Sequence, residues 1–298
     1  MNPIPYIHDG SQNPPRLAVY LNLGSLTDLP PWSQGPRGDP AEVMAAVKEA
    51  GLEGVLGGAA DTARAAGLAI AGGARLNTPV DLPELEAAAR AQKDRGCVAI
   101  TIHAGWGMED DAVIDALVEG VIDISSRVGV PIYIETHRAT ITQDIQRTVK
   151  LVERHGGVRF NADFSHWYTG LEMRYGGAET KMDFFAPVLE RVGFMHGRIG
   201  NPGCMQVDVG DTLEDALSRS YVQHFAEMWT RSMAGFLRHA GPGDVLVFAP
   251  ELLQPAIFYA RTFPDPDGQP REEGDRWQQC LLYAELARRC FEDARQRV

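Results

Sequence analysis

Eight short apolar runs, alternating with stretches of helical period, constrain this chain more than any other feature of its sequence. The runs lie at 16–23, 54–57, 68–76, 98–105, 131–138, 158–167, 193–198 and 245–251. Helix-period stretches follow at 40–50, 61–66, 82–95, 110–127, 142–155, 184–192, 217–239 and 275–295. The helix at 110–127 is the clearest, because Val113, Ala116, Leu117, Gly120, Val121 and Ile124 recur on one face. Asp39 before Pro40 is a helix start and Gly51 a helix stop. The run at 98–105 is almost continuously apolar, as a parallel strand covered on both faces should be. Regular strand–helix alternation implies a parallel sheet, and eight units imply closure into a single (β/α)8 barrel of the α/β class. An open doubly wound sheet is the alternative, but no glycine-rich dinucleotide fingerprint follows the first run. Residues 1–15 read as an irregular lead-in and 16–298 as the barrel with its C-terminal helix. The polar, proline-rich loop at 28–39 is long for a barrel connection and is expected to act as a lid carrying Trp32.

The chain has 298 residues, 44% hydrophobic and 23% charged, with a net charge of −12. An acidic surface repels phosphate backbones, so a nucleic-acid partner is not expected. No apolar run approaches the roughly 18 residues of a membrane span, so no membrane partner is expected. The first residues carry no basic stretch ahead of an apolar one, so a cytoplasmic location is expected. Cys97, Cys204, Cys280 and Cys290 form no C-x-x-C pair and read as reduced thiols.

The last four runs share a second property: each ends in residues that can bind a metal. They supply Glu135, then Asp163 with His166, then His196 with Arg198, then Glu251. A parallel barrel gathers the C-terminal ends of its strands on one rim, where active sites are built. On that topology Glu135, Asp163, His196 and Glu251 converge. A carboxylate closing a buried strand is costly unless it is paired or bound to a cation. One by one, these residues also fit a solvated glutamate, a turn-capping aspartate or a core histidine; the four in succession point to a divalent ion, Mn²⁺, Co²⁺, Mg²⁺ or Zn²⁺. Such an ion polarises a carbonyl, and Glu135 and Glu251 are the candidate acid and base for the neighbouring C–H. Trp106, Trp167 and Tyr168 fit either stacking on a sugar ring or, as aromatics near strand ends more often do, core and rim packing; His155, His224 and His239 read as helix-surface residues.

The order Glu135, Asp163-x-x-His166, His196-x-Arg198, Glu251 resembles the xylose isomerase-like TIM barrel superfamily, which holds sugar isomerases, ketose 3-epimerases, inosose dehydratases and endonuclease IV. The resemblance runs from about residue 16 to residue 251. It implies Glu135, Asp163, His196 and Glu251 as metal ligands and His166 and Arg198 as substrate contacts. His103-Ala-Gly-Trp106 resembles a substrate-side segment; after the first ligand, Arg138 is a further candidate for substrate contact, and His137 for substrate contact or for support of the ligands. It implies a metal-dependent sugar isomerase or epimerase working through an enediolate, in a homo-oligomer, with a small sugar or sugar derivative as partner. A metal-dependent dehydratase or lyase of a keto-sugar is the alternative reading; a nuclease and a non-catalytic sugar-binding barrel are weaker ones. Thr136-His137-Arg138 stands where ketose 3-epimerases carry a proline and then a second glutamate. That departure points to an anionic or larger substrate anchored by Arg138 and Arg198.

Overall fold

A computed structural model describes residues 2–58 and 60–298. A two-residue strand, β1 (Ile7–His8), precedes the barrel. The barrel strands and helices then alternate: β2 (Arg16–Asn22), α1 (Pro40–Glu49), β3 (Gly54–Leu56), α2 (Ala60–Ala65), β4 (Ala69–Leu76), α3 (Leu82–Asp94), β5 (Cys97–Ala104), α4 (Asp111–Val128) and β6 (Ile132–Glu135). The second half continues with α5 (Ile145–Arg154), β7 (Phe160–Ala162), α6 (Ser165–Gly170), α7 (Ala178–Phe184), α8 (Ala186–Leu189) and β8 (Val192–Gly197). It closes with α9 (Leu213–Leu217), α10 (Ser220–His239), β9 (Asp244–Pro250), the hairpin β10 (Thr262–Pro264) and β11 (Pro270–Glu272), and α11 (Arg276–Arg295). Strands β2 to β9 pair in parallel in chain order, and β9 returns to β2 through Arg16–Val245 to Val19–Phe248. Eight parallel strands with surrounding helices therefore make one closed (β/α)8 barrel.

The helices start where the local chemistry dictates. Asp39 and Glu42 form a reciprocal capping box ahead of Pro40, and Asp110 caps α4 through the Val113 amide. Gly129 ends α4 with φ of 70°, a conformation that costs glycine little. On α4 the buried residues Ile114, Leu117, Val121, Ile124 and Val128 repeat at helical spacing. Elsewhere on the barrel Trp229 of α10 meets Phe248 of β9 edge to face at 4.8 Å.

Three elements depart from the expected order. The lead-in is not irregular throughout: β1 pairs antiparallel with the start of β9, and Ile4, Tyr6 and Ile7 are buried beneath the barrel. Arg159 Nε donates to the Ile4 carbonyl at 2.7 Å and Tyr133 Oη to that of Pro5 at 3.1 Å. The helix expected at 184–192 is two helices, α7 and α8, because Pro187 begins a new first turn and Val192 already opens β8. The loop expected as a lid is instead tied to the start of α11. Ser33 Oγ donates to Asp275 at 2.6 Å, and buried Arg276 donates to the carbonyls of Ser25 (2.8 Å), Thr27 (2.8 Å) and Asp28 (3.1 Å). Trp32 lies under the Arg271 guanidinium of the hairpin, 4.5 Å from its ring centre. Among the described residues, no helix is long and apolar enough to cross a membrane.

Candidate metal centre at the barrel mouth

Strand ends bring the four candidate ligands to one place. Glu135 is the last residue of β6, Asp163 follows β7, His196 is the penultimate residue of β8 and Glu251 follows β9. One ligand atom from each lies within 4.8 Å of those of the other three, and all four residues are buried. His196 Nδ1 stands 3.3 Å from Glu135 Oε2 and 3.5 Å from Glu251 Oε2. Those separations are long for hydrogen bonds. Two ligand atoms each about 2.1 Å from one ion sit about 3.0–3.4 Å apart at octahedral and tetrahedral angles, and at most about 4.2 Å apart.

Neighbouring side chains hold each ligand. Asn161 Nδ2 donates to Glu135 Oε2 at 3.0 Å, and Asn22 Nδ2 donates to Glu251 Oε1 at 2.6 Å. Asp163 Oδ1 accepts from the Ser165 amide at 3.0 Å and from its hydroxyl at 2.6 Å. This turn begins α6 and leaves Asp163 Oδ2 without a hydrogen bond. Thr136 Oγ1 donates to the Asp163 carbonyl at 3.0 Å, and Thr142 Oγ1 donates to that of Glu135 at 2.6 Å. These contacts lock the ends of β6 and β7 side by side.

Electrostatics decide what the cluster can hold. Burial would raise the Glu135 carboxyl, but the His196 and His103 imidazoles keep it well below the usual carboxylate range. Burial raises the Asp163 carboxyl despite the opposing Arg198 guanidinium. Burial alone would lower the His196 imidazole, yet the carboxylates of Glu251 and Glu135 hold it up at about 9. Arg198 is 1% exposed, and its Nη2 lies against Glu251 and 3.1 Å from Asp163 Oδ2. Three carboxylates thus face one guanidinium and one imidazole, while both His196 nitrogens and Asp163 Oδ2 lack hydrogen-bond partners. Buried polar atoms in native structures are normally satisfied. An oxygen-rich set with one imidazole and orphaned donor atoms fits a divalent cation.

The other candidate residues divide between a cavity and its surroundings. A cavity of about 250 Å³ adjoins the cluster, lined by Asn22, Leu56, Gly57, Gly73, Ala74, Thr101 and His103 with Glu135, His196 and Glu251. Of the residues assigned to substrate, His103 lines it, with Nε2 3.4 Å from Glu135 Oε1. His137 stacks between two other imidazoles, its ring centre 4.2 Å from that of His103 and 3.8 Å from that of His166. Burial is the main reason its own imidazole falls to about 4. His166 is buried with both nitrogens unpartnered. Arg138 is exposed, 5.2 Å from the Tyr259 ring centre. Trp106 is half exposed under Arg75, 4.0 Å from its ring centre, and is not part of the cavity wall. Trp167 and Tyr168 are buried packing residues, and His155, read from sequence as a surface residue, is buried against Asp115 at 2.7 Å. Larger grooves of about 740 and 660 Å³ flank the hairpin beside Trp32 and contain none of the four ligands.

Sequence reasoning missed Asn22, Thr101, Asn161 and Tyr259. Asn22 and Asn161 stand at or near strand ends and Thr101 within β5, and two of the three pair with a known candidate at i, i+2: Asn161 with Asp163, Thr101 with His103. Tyr259 comes from the irregular segment after Glu251; its ring centre is 4.3 Å from the Arg198 Cζ, and its hydroxyl is 3.5 Å from His137 Nε2.

A closed parallel barrel with a buried acid–imidazole cluster at its mouth defines the class of this protein, and its fold is that of the xylose isomerase-like TIM barrels. A xylose isomerase-like TIM barrel protein from Mycobacterium smegmatis, in complex with magnesium, superposes with a TM-score of 0.56 at 13% identity, covering 93% of this chain and 97% of that one. A probable 3-DHS dehydratase of petrobactin synthesis from Bacillus anthracis gives 0.54 at 14% identity, covering 91% and 97%. A sugar phosphate isomerase/epimerase from Parabacteroides distasonis gives 0.53 at 13% identity, covering 90% and 97%. At these identities the likeness is one of fold. No protein-family model matches the sequence, and no curated protein matches it.

Proposed function

We propose that this chain is a divalent-metal-dependent isomerase or epimerase of a small hydroxy-ketone or aldose, moving a proton through an enediolate. The observation that carries the reading is the convergence of Glu135, Asp163, His196 and Glu251 on one point, with Glu135, His196 and Glu251 on the wall of a cavity of about 250 Å³. When bound there, a divalent ion would act as a Lewis acid on a substrate carbonyl and make the adjacent C–H acidic. The protein's own residues do the rest. Glu135 and Glu251 both face the cavity, so one carboxylate can take the proton and a carboxylic acid can return it to the neighbouring carbon or the opposite face. Asn161 and Asn22 fix their orientation. His103 offers an imidazole to a substrate hydroxyl from the cavity side. Arg198 is committed to Asp163 and Glu251, which favours a neutral substrate over an anionic one.

Glu135→Gln and Glu251→Gln test the reading, with solvent deuterium exchange into a panel of ketoses and aldoses as the readout. Exchange by the Mn²⁺- or Mg²⁺-loaded wild type that falls by about 10²–10⁴-fold in either variant is expected; no exchange into any sugar by the loaded wild type rejects it.

A second reading keeps the proton abstraction and follows it with loss of a β-leaving group. The fold likeness to a probable dehydratase supports it. Isomerisation conserves substrate mass and elimination does not, so mass spectrometry of the product separates the two.

A further inference from the structure

The cavity beside the cluster owes part of its room to one glycine. Gly73 lies in the middle of β4, lines the cavity and is exposed, although the three residues before it, Ile70, Ala71 and Gly72, are buried. The interior of a parallel barrel is normally filled by side chains. Strands β4 and β8 stand four places apart among the eight parallel strands, so Gly73 and His196 line the cavity from opposite sides of the barrel. We propose that Gly73 is the specificity-determining residue of this site: the space left by its missing side chain receives the end of the substrate that lies away from the reacting carbons, and that end is uncharged. The proposal rests on the isomerase reading above.

Neither the backbone nor the packing asks for glycine at this position. Its φ lies outside the left-handed region. Beyond its chain neighbours, the nearest atom that a Cβ would meet is the Thr101 carbonyl oxygen at 3.9 Å, an ordinary contact. Gly72 is the contrast: a Cβ there would run into the Gln92 side chain of α3. Successive residues of a strand face opposite sides, so Gly72 serves the packing of α3 and Gly73 serves the cavity. A glycine inside a strand weakens it and often marks the close approach of a ligand. The wall around Gly73 has a chemistry of its own. Leu56, Gly57 and Ala74 bring no charge and no side-chain hydrogen-bond donor, and the Gly57 amide already donates to the Ala71 carbonyl at 3.1 Å. A phosphate calls for arginine, lysine or free amides, whereas a methyl or hydroxymethyl end fits such a wall. The polar side chains of Asn22, Thr101 and His103 line the remainder with the three cluster residues, so the oxygens of a sugar find their partners there.

Gly73→Ala and Gly73→Val fill the space with one and three carbons and remove no polar group. On Mn²⁺-loaded protein, kcat/KM for deuterium exchange is measured with ketoses of four, five and six carbons. The ratio of the six-carbon to the four-carbon sugar should fall by about 10–200-fold in Gly73→Val and in the same direction in Gly73→Ala, which decides where the valine variant unfolds. The same ratio is read in calorimetric dissociation constants for the matching polyols, which need no proton transfer, with circular dichroism confirming the fold. A substitution that merely loosens the barrel would weaken all sugars alike. Where the wild type exchanges, an unmoved ratio, or a wild type that already rejects the six-carbon sugar, overturns the role of Gly73 and leaves the isomerase reading standing. Faster exchange with a terminally phosphorylated ketose than with the free one overturns the uncharged end. A wild type that shows no exchange, but whose polyol ratio shifts in the variants, rejects the isomerase reading and keeps the pocket. Neither exchange nor polyol binding overturns both.

Discussion

Two carboxamides set the quality of the candidate metal centre. Asn161 and Asn22 each give one N–H to a cluster glutamate, and each is placed by the strand that ends beside it. Ligands without such partners lose orientation, and removing a partner commonly weakens metal binding about 10–100-fold. Asn161→Ala and Asn22→Ala should therefore raise the Mn²⁺ dissociation constant by about that factor while circular dichroism stays unchanged; calorimetric titration checks it. An affinity equal to wild type would mean that the glutamates are held by the backbone alone. At this scale much of the site was legible, because a strand carries side chains to one face at every second residue. Glu135 and His137, Asp163 and Asn161, His196 and Arg198, His103 and Thr101 all keep that spacing. Asparagine and threonine drew no notice in the sequence because they are as common in turns as in sites. Nor does sequence reveal that Arg198, a free anchor by composition, is 1% exposed between two carboxylates.

Among the elements, α11 shows how a barrel of loosely patterned loops is held shut. Buried Arg276, at its start, pairs with Glu272 of β11 at 2.8 Å and donates to three carbonyls after β2. Removing one partner of a buried ion pair leaves the other uncompensated, at about 3–5 kcal/mol. Arg276→Met should lower the unfolding free energy by about that amount in urea titration, and a loss under 1 kcal/mol would show that water replaces the guanidinium readily. The strong helices, α4 and α10, were readable because their apolar residues repeat over many turns. The segment 165–189 was not, since three helices of at most seven residues offer too few repeats to set a period. The hairpin β10–β11 was missed for a related reason: its strands are three residues long and almost wholly exposed, so no alternation marks them.

Taken whole, the molecule assigns different work to its two ends. The C-terminal rim of the strands carries the ligand cluster, and the opposite end is closed by residues 4–8 with β1. Close to that closure, Asp9 accepts hydrogen bonds from Ser11 and pairs with Arg16 at 3.1 Å, and these contacts lower its carboxyl from the ordinary 3.8 to about 2. A carboxyl depressed in the folded state lends stability above its unfolded value and loses it as pH falls towards the folded one. The stability of wild type should therefore decline between about pH 4 and pH 2 more steeply than that of Asp9→Asn. Melting temperatures of the two proteins across that window test it; parallel curves would remove Asp9 from the acid response. Barrel closure was readable from the count of strand–helix units, whereas the plug beneath it was not, because a two-residue strand has no periodicity to detect.

The hairpin has one last consequence. Its tip, residues 265–269, is a polar turn in which Asp265 Oδ1 accepts the amides of Asp267 and Gln269, and residues 266–269 are exposed. Exposed turns of this kind are where proteases cut first. A single nick there should leave the severed tail, α11 included, bound through Arg276 and the packing of Cys280, Tyr283 and Phe291. Brief subtilisin treatment should give two bands on a denaturing gel and one species of unchanged size on a native column; early release of the small fragment would show that the peptide link, rather than the noncovalent seam, retains it.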